Sequence, residues 1–226
     1  MPASQRLQFQ EELGRLETQA LGALDLVVTT LDRTLEALHH RDIELAALVI
    51  ADDDRIDGRY LEVHQGILSL LALQAPVASD LRVVAALLQV IRNAERMGDQ
   101  CVNIAKLLPI TGYDAPVDDE ILAVVEKMGA LARSEVSQAK QAFLLREVGL
   151  AEDLVRQDAA INGLNRVVFQ RAVEVGTDPD RREWAMTMML VARALERIGD
   201  NAVDVGEQVA FVVSGLFREF SDASRP

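Results

Sequence analysis

Cysteine is almost missing from this chain of 226 residues; Cys101 is the only one, so no disulfide forms within the chain and a reducing compartment suits it. Aromatic residues make up 4% of the sequence although half of it is apolar. Small and aliphatic side chains must therefore fill the interior, which suits helix packed on helix. Six prolines and 13 glycines, gathered at a few points, leave long uninterrupted segments between them. Positive charge is in deficit: 23 Lys and Arg stand against 36 Asp and Glu, a formal net charge of −13. Such a surface repels nucleic-acid phosphates and disfavours adsorption to anionic lipid, but it attracts cations and basic partner surfaces. No apolar run reaches the roughly 18–20 residues that span a bilayer, and the longest, near 67–91, is interrupted by Asp80 and Arg82. The opening MPASQRLQFQEEL lacks a basic and then apolar leader pattern, so the chain is expected to be cytoplasmic, without insertion into a membrane. Glycine-rich phosphate loops, catalytic-triad signatures and zinc-ligand spacings are missing as well.

What is present is a segment carried twice. VIRNAERMGDQCVN at 90–103 returns as VARALERIGDNAVD at 191–204, with no gap and with Arg92/Arg193, Glu95/Glu196, Gly98/Gly199 and Asp99/Asp200 unchanged. A second recurrence matches Leu45-Ala46 with Leu150-Ala151, Asp53 with Asp158, and Ile56-Asp57 with Ile161-Asn162. Recurrence at fixed offset marks a duplicated unit. Helical periodicity dominates, with Phe9, Leu13, Leu16, Ala20, Ala23, Val27, Leu31 and Leu38 on one stripe of a first helix over 4–38. Asp42 caps a second helix reaching 73, and Pro76 fits the first turn of a third that ends near 108. After a linker at 109–116, helices are expected over 117–146, 150–175 and, from Asp178-Pro179, to about 213. The chain therefore reads as all-α, a tandem pair of antiparallel three-helix bundles: residues 1–112, residues 113–214, and a frayed, flexible C-terminal tail over 215–226.

The repeat carries carboxylates as well as a core pattern. Residues four apart share a helix face, which places Glu95 with Asp99 on the shoulder of one apolar seam and Glu196, Asp200 and Asp204 on the same shoulder of the other. Asp53 and Asp57 fall on a line with Ala46, Ile50, His64, Leu68 and Leu71, and Asp158 falls on a line with Ala151, Val155, Asn162, Phe169 and Val173. Like charges 4 Å apart repel by about 4 kcal/mol at an effective dielectric near 20. Raised pKa values, pairing with Arg92, Arg96, Arg193 or Arg197, or a bound cation would each relieve that. Hard oxygen ligands suit iron, manganese, magnesium or calcium, and the spacing does not choose among them. A glycine inside each acidic helix, Gly98 and Gly199, implies a close approach to the backbone. His64 reads as a core residue rather than a ligand, and the one Glu-x-x-His, Glu36/His39, sits at a helix end, unlike a ferritin-like di-iron site.

The residues QAPVASDLR at 74–82, AERMGDQCVNIA at 94–105, LERIGDNAVDVGE at 195–207 and the Leu-Ala…Asp-x-x-Ile-Asp pattern at 45–57 span nearly the whole chain in two-repeat order. On these the chain resembles the PhoU family of regulators associated with phosphate-specific transport. The resemblance implies two three-helix bundles related by pseudo-twofold symmetry, a homodimer, and metal ions held at acidic motifs: Asp53, Asp57, Glu95 and Asp99 in one half, Asp158, Glu196, Asp200 and Asp204 in the other. Asn162 replaces the acid found at Asp57, so the two sites are expected to differ. The resemblance also implies a non-enzymatic role: negative regulation of a phosphate ABC transporter and of a sensor histidine kinase, with peripheral membrane association through those partners. A carboxylate–metal enzyme on a helical bundle, a metal-free scaffold whose acids pair with arginines, and a paralogue serving another transporter are the alternatives.

Overall fold

The apolar stripe of the first helix decides its place. Phe9, Leu13, Leu16, Ala20, Ala23, Val27, Leu31 and Leu38 are all buried, and α1 (Ala3–His40) is the longest of the described helices. The computed structural model describes residues 3–73, 76–111 and 117–220, and every element among them is a helix: α2 (Ile43–Ala51), α3 (Asp54–Leu73), α4 (Ala78–Thr111), α5 (Asp119–Leu145), α6 (Val148–Val175) and α7 (Pro179–Ser214). The first three-helix unit comprises α1, the broken pair α2–α3, and α4; the second comprises α5, α6 and α7. The units join where α4 packs on α7 and α1 packs on α5, around one continuous core. Of the two acidic helices, α4 buries Leu87, Val90, Ala94, Met97, Cys101, Ile104 and Leu108, and α7 buries Trp184, Met188, Val191, Leu195, Ile198, Ala202, Val205 and Val209.

The duplication extends to the hairpin turns. Arg41 (φ 53°) and Arg146 (φ 55°) both adopt the left-handed conformation that closes a helix. The N–H of Asp42 reaches the Ala37 carbonyl at 2.9 Å, and that of Glu147 reaches Ala142 at 3.0 Å. Each carboxylate then caps the next helix, Asp42 accepting from the Leu45 N–H and Glu147 from the Gly149 N–H. Between α1 and α5 the register is marked by ion pairs across the two units: Glu17–Arg146 at 2.8 Å, Asp25–Lys140 at 2.6 Å and Asp32–Arg133 at 2.6 Å. Exposed pairs such as Asp25–Lys140 and Asp32–Arg133 contribute below about 1 kcal/mol each, and Glu17–Arg146 is partly buried; together they mark the alignment of the halves.

Four features depart from the helix pattern expected of the sequence. The second helix is broken: Asp52 caps α2 and α3 restarts at Asp54. Three consecutive aspartates repel one another and compete for backbone groups, whereas α6 continues through Gln157-Asp158-Ala159 without a break. Pro76 precedes α4 rather than opening it, because the Val77 carbonyl accepts the first helical bond, from the Leu81 N–H at 2.9 Å. α4 continues through Pro109 to Thr111; the remainder of the expected linker, 112–116, lies outside the described residues. The segment after α7 folds back instead of fraying: Gly215 (φ 76°) caps the helix, Phe217 stacks on Phe211 with centroids 4.0 Å apart, and the Phe220 N–H donates to Glu207 at 2.7 Å. Residues 221–226 of the expected tail are outside the described set.

Candidate functional site

In the first unit the break between α2 and α3, the first turn of α3 and the middle of α4 bring four acids within electrostatic reach of one another. Asp53 occupies the turn; Asp57 follows one helical turn later, its N–H bonded to the Asp53 carbonyl at 3.3 Å. Opposite stand Glu95 and Asp99, one turn apart on α4. Gly98 lies between them, and a Cβ there would be 2.9 Å from Ile56 Cδ1, so its absence lets α3 approach α4 at the level of the acids. Asp53 and Glu95 are half-buried, while Asp57 and Asp99 are exposed. Burial raises the pKa of Asp53, and repulsion by Asp57 and Asp99 adds to it against an opposing pull from Lys106. Glu95 is raised by burial, then by Asp99 and Asp57, with Arg96 and Arg92 opposing. Asp99 is raised by burial and Asp57, again opposed by Lys106. Lys106 was not singled out in the sequence, although it lies seven residues after Asp99 and hence on its face.

The line through Asp53, Asp57, His64 and Leu68 proves to be the edge of the helix pair, not its core. Leu68 is 52% exposed, and the residues facing inward are Ile56, Val63, Ile67 and Leu70. Two adjacent lines are apolar, and only one of them faces α1 and α4. His64 lies beside the ring of Tyr60, 5.7 Å between centroids.

The second unit is built differently. Asp158 on α6 is only 4% exposed, and its Oδ2 accepts from the Asn162 amide at 2.8 Å. The neighbour that the repeat did not reveal is Glu135 of α5, which is fully buried. A Cβ on Gly199 would lie 2.8 Å from Glu135 Oε2, 2.9 Å from Asp158 Oδ1 and 3.2 Å from Ile161 Cδ1. The repeated glycine thus admits an isoleucine in both units and, in the second, two carboxylates as well. Burial first, then repulsion by Asp158 and Asp200, pushes the Glu135 carboxyl up to about 9. Neither of its oxygens has a hydrogen-bond partner among the described residues. Glu135 corresponds by the repeat offset to Thr30, so duplication gives no signal for it. Its seam does: Met128, Ala132, Glu135, Ala139 and Ala142 alternate steps of four and three, and Glu135 is the one acid among them.

The remaining predicted residues diverge. Glu196 pairs with Arg193 one turn back. Asp204 lines a groove between α7 and α4 together with Asn93, Arg96, Gln208 and the returning Phe217 and Arg218. Among the described residues, no three His, Cys, Asp or Glu side chains are gathered as a ready-made coordination sphere. What the arrangement offers is two oxygen-rich clusters of excess negative charge, one open to solvent and one sunk between α5, α6 and α7.

Gly199 gives a direct readout of that crowding. Gly199→Ala is expected to lower stability by about 1–2 kcal/mol despite the better helix propensity of alanine, because the new methyl meets enclosed carboxylates. Gly163→Ala, in α6 with nothing within 4 Å, is expected to gain about 1 kcal/mol. Thermal unfolding compares the two; equal shifts would mean that the space beside Gly199 is not filled.

The PhoU domain family model matches residues 22–108 and 125–209, one match in each unit. The chain is 32% identical over 208 residues to a phosphate-specific transport system accessory protein PhoU homolog of Zymomonas mobilis, covering 92% of this chain and 87% of that protein. Its fold superposes with a TM-score of 0.86 on the crystal structure of the phosphate transport system regulatory protein PhoU from Streptococcus pneumoniae, at 27% identity, covering 93% of this chain and 99% of that one. PhoU from Pseudomonas aeruginosa gives the same TM-score of 0.86 at 25% identity, covering 92% and 100%.

Proposed function

The chain belongs to the PhoU family of accessory proteins of phosphate transport, and on that footing we propose that it is a non-enzymatic cytoplasmic regulator that restrains a phosphate ABC transporter and holds a phosphate-starvation sensor kinase in its non-signalling state. The observation that carries this reading is that one domain family matches both units and each match encloses the same acidic helix. No described helix is long and apolar enough to cross a membrane, and the net charge of −13 repels anionic lipid. Attachment at the membrane would then run through basic surfaces of partner proteins, which the same charge attracts.

Hard cations are the ligands that the acidic clusters would attract. The clusters' donors are all oxygen, the buried Glu135 carboxylate has no hydrogen-bond partner among the described residues, and the missing Cβ of Gly199 lets it and Asp158 converge on one spot. Asp53, Asp57, Glu95 and Asp99 would hold a cation in the first unit; Asp158 and Asp200 would anchor one in the second, with Glu196 and Asp204 flanking on α7. A bound cation supplies positive charge that offsets the mutual repulsion of the acids. The protein's own part is to fix α3 against α4, and α6 against α7, so that the outer surfaces presented to partners are rigid.

Deleting the gene in its native host should raise phosphate uptake and starvation-gene expression in phosphate-replete medium, and tagged protein from the same cells should co-purify with transporter or kinase components. Unchanged uptake together with recovery of neither partner would refute the regulatory reading. Elemental analysis of protein purified without chelator should find bound metal; protein that also takes up none on titration would refute the cation sites.

A further inference from the structure

The duplicated motif makes the two acidic clusters look like copies, yet the second contains an acid that the first does not. Thr30 occupies the equivalent place on α1. Glu135 stands in the apolar seam of α5 between Ala132 and Ala139, both fully buried, and is itself fully buried. Its two oxygens accept no hydrogen bond among the described residues, and one of them points at the same spot beside Gly199 as an oxygen of Asp158. Asp200, on the half-buried shoulder of α7, adds to the negative potential on Glu135. The charged groups that act on Glu135 among the described residues are therefore acids, Asp158 from α6 and Asp200 from α7. A carboxylate placed there at the expense of an apolar residue gains nothing as a neutral filler: alanine or methionine would pack without the desolvation cost.

We propose that Glu135 is a metal ligand outside the repeated motif, which together with Asp158 and Asp200 binds a hard divalent cation in the interior of the second unit. This inference rests on the cation-binding reading given above and assigns to it a residue and a helix that the motif omits. With Glu135 contributing, the ion ties α5 to α6 and α7, so all three helices of the unit meet at one point. The first cluster draws its acids from the α2–α3 turn, the first turn of α3 and the middle of α4, and it lies open to solvent. Asn162, which replaces an acid, donates to Asp158 Oδ2 and orients that carboxylate. The charge missing at Asn162 is thus made up from α5. The second site is expected to exchange its ion slowly and to serve structure, and the first to exchange quickly.

Mn2+ is the probe, counted per chain by the loss of the free-ion EPR signal, with full-length protein stripped by chelator beforehand. Wild type should bind in two classes. Glu135→Gln, nearly the same shape, should lose the slowly exchanging class, with affinity down at least about tenfold, and should lose the Mn2+-dependent rise in melting temperature assigned to it. Glu135→Asp, which keeps the charge but shortens the reach, should retain that class in weakened form, so a folding defect of one variant does not decide the question. Circular dichroism checks that both variants are helical. Full occupancy with unchanged affinity and exchange in both variants would overturn the assignment of Glu135 and leave the cation sites standing. No Mn2+ bound by wild type at all would overturn the cation reading itself, and this inference with it.

Discussion

Metal-free Glu135→Gln is expected to be more stable than wild type at pH 9 by several kcal/mol, and nearly equal to it at pH 5. The argument is linkage between protonation and folding. In the unfolded chain Glu135 titrates near its ordinary value of 4.5; in the folded protein burial, and then Asp158 and Asp200, push it up to about 9. Between those values the folded state holds a proton that the unfolded state has released, so stability falls as pH rises through this window. Below 4.5 both states are protonated and nothing is lost; above about 9 the loss is complete. A shift of this size corresponds to an upper bound of about 6 kcal/mol, a large part of the 5–15 kcal/mol typical of a folded protein. Glutamine keeps the shape and carries no charge to bury, so the variant should lack this descent. Urea unfolding in chelator at pH 5, 7 and 9 makes the comparison; parallel pH profiles of the two proteins would contradict the burial of an ionisable group at this position. Loading with cation should reverse the ranking, since the ion favours the ionised carboxylate that the variant lacks.

This contrast bears on what the sequence makes visible. The stripe on α1, the seams of α4 and α7 and the Asp178–Pro179 start of α7 are strong periodic or capping signals, and each is found where it was expected. The hairpin turns at Arg41 and Arg146 carry no glycine and gave no local signal, although the repeat offset makes them equivalent. The break at Asp52–Asp53 is a contest between helical period and the repulsion of three neighbouring aspartates, and periodicity alone does not register repulsion. The phase error on α3 has a similar origin: two adjacent apolar lines are both plausible until a neighbour covers one of them. For the site, duplication revealed the acids that both units share and concealed the one that only the second has. Glu135 lies in an unbroken seam of small apolar residues, where an acid is the informative exception. The return of Phe217 and Phe220 onto α7 depends on a tertiary contact that a short tail sequence does not encode by itself.

The first cluster should respond to charge removal in the opposite sense with and without metal. Glu95→Gln combined with Asp99→Asn removes two of four acids while leaving the buried seam of α4 untouched, since Glu95 is half-buried and Asp99 exposed. The helices should therefore stay folded. Without metal the double variant should be slightly more stable than wild type, by a few tenths to about 1 kcal/mol, because like charges near one another on a helix surface destabilise by that order. With Mn2+ at a hundredfold excess over its dissociation constant, each occupied site stabilises the folded protein by about 2.7 kcal/mol, equivalent to roughly 5–10 °C in melting temperature for a chain of this size. Wild type should gain that increment from the first site and the double variant should not, so their melting curves cross in order as Mn2+ is added. The two variants then isolate the two clusters: Glu135→Gln removes the enclosed ion and leaves the exposed one, and the Glu95/Asp99 pair does the reverse. If the double variant bound as much Mn2+ as wild type, with the same gain in stability, the acids of α4 would not be ligands, and the repeated segment would owe its carboxylates to pairing with Arg92, Arg96 and Lys106, the cations that oppose their mutual repulsion.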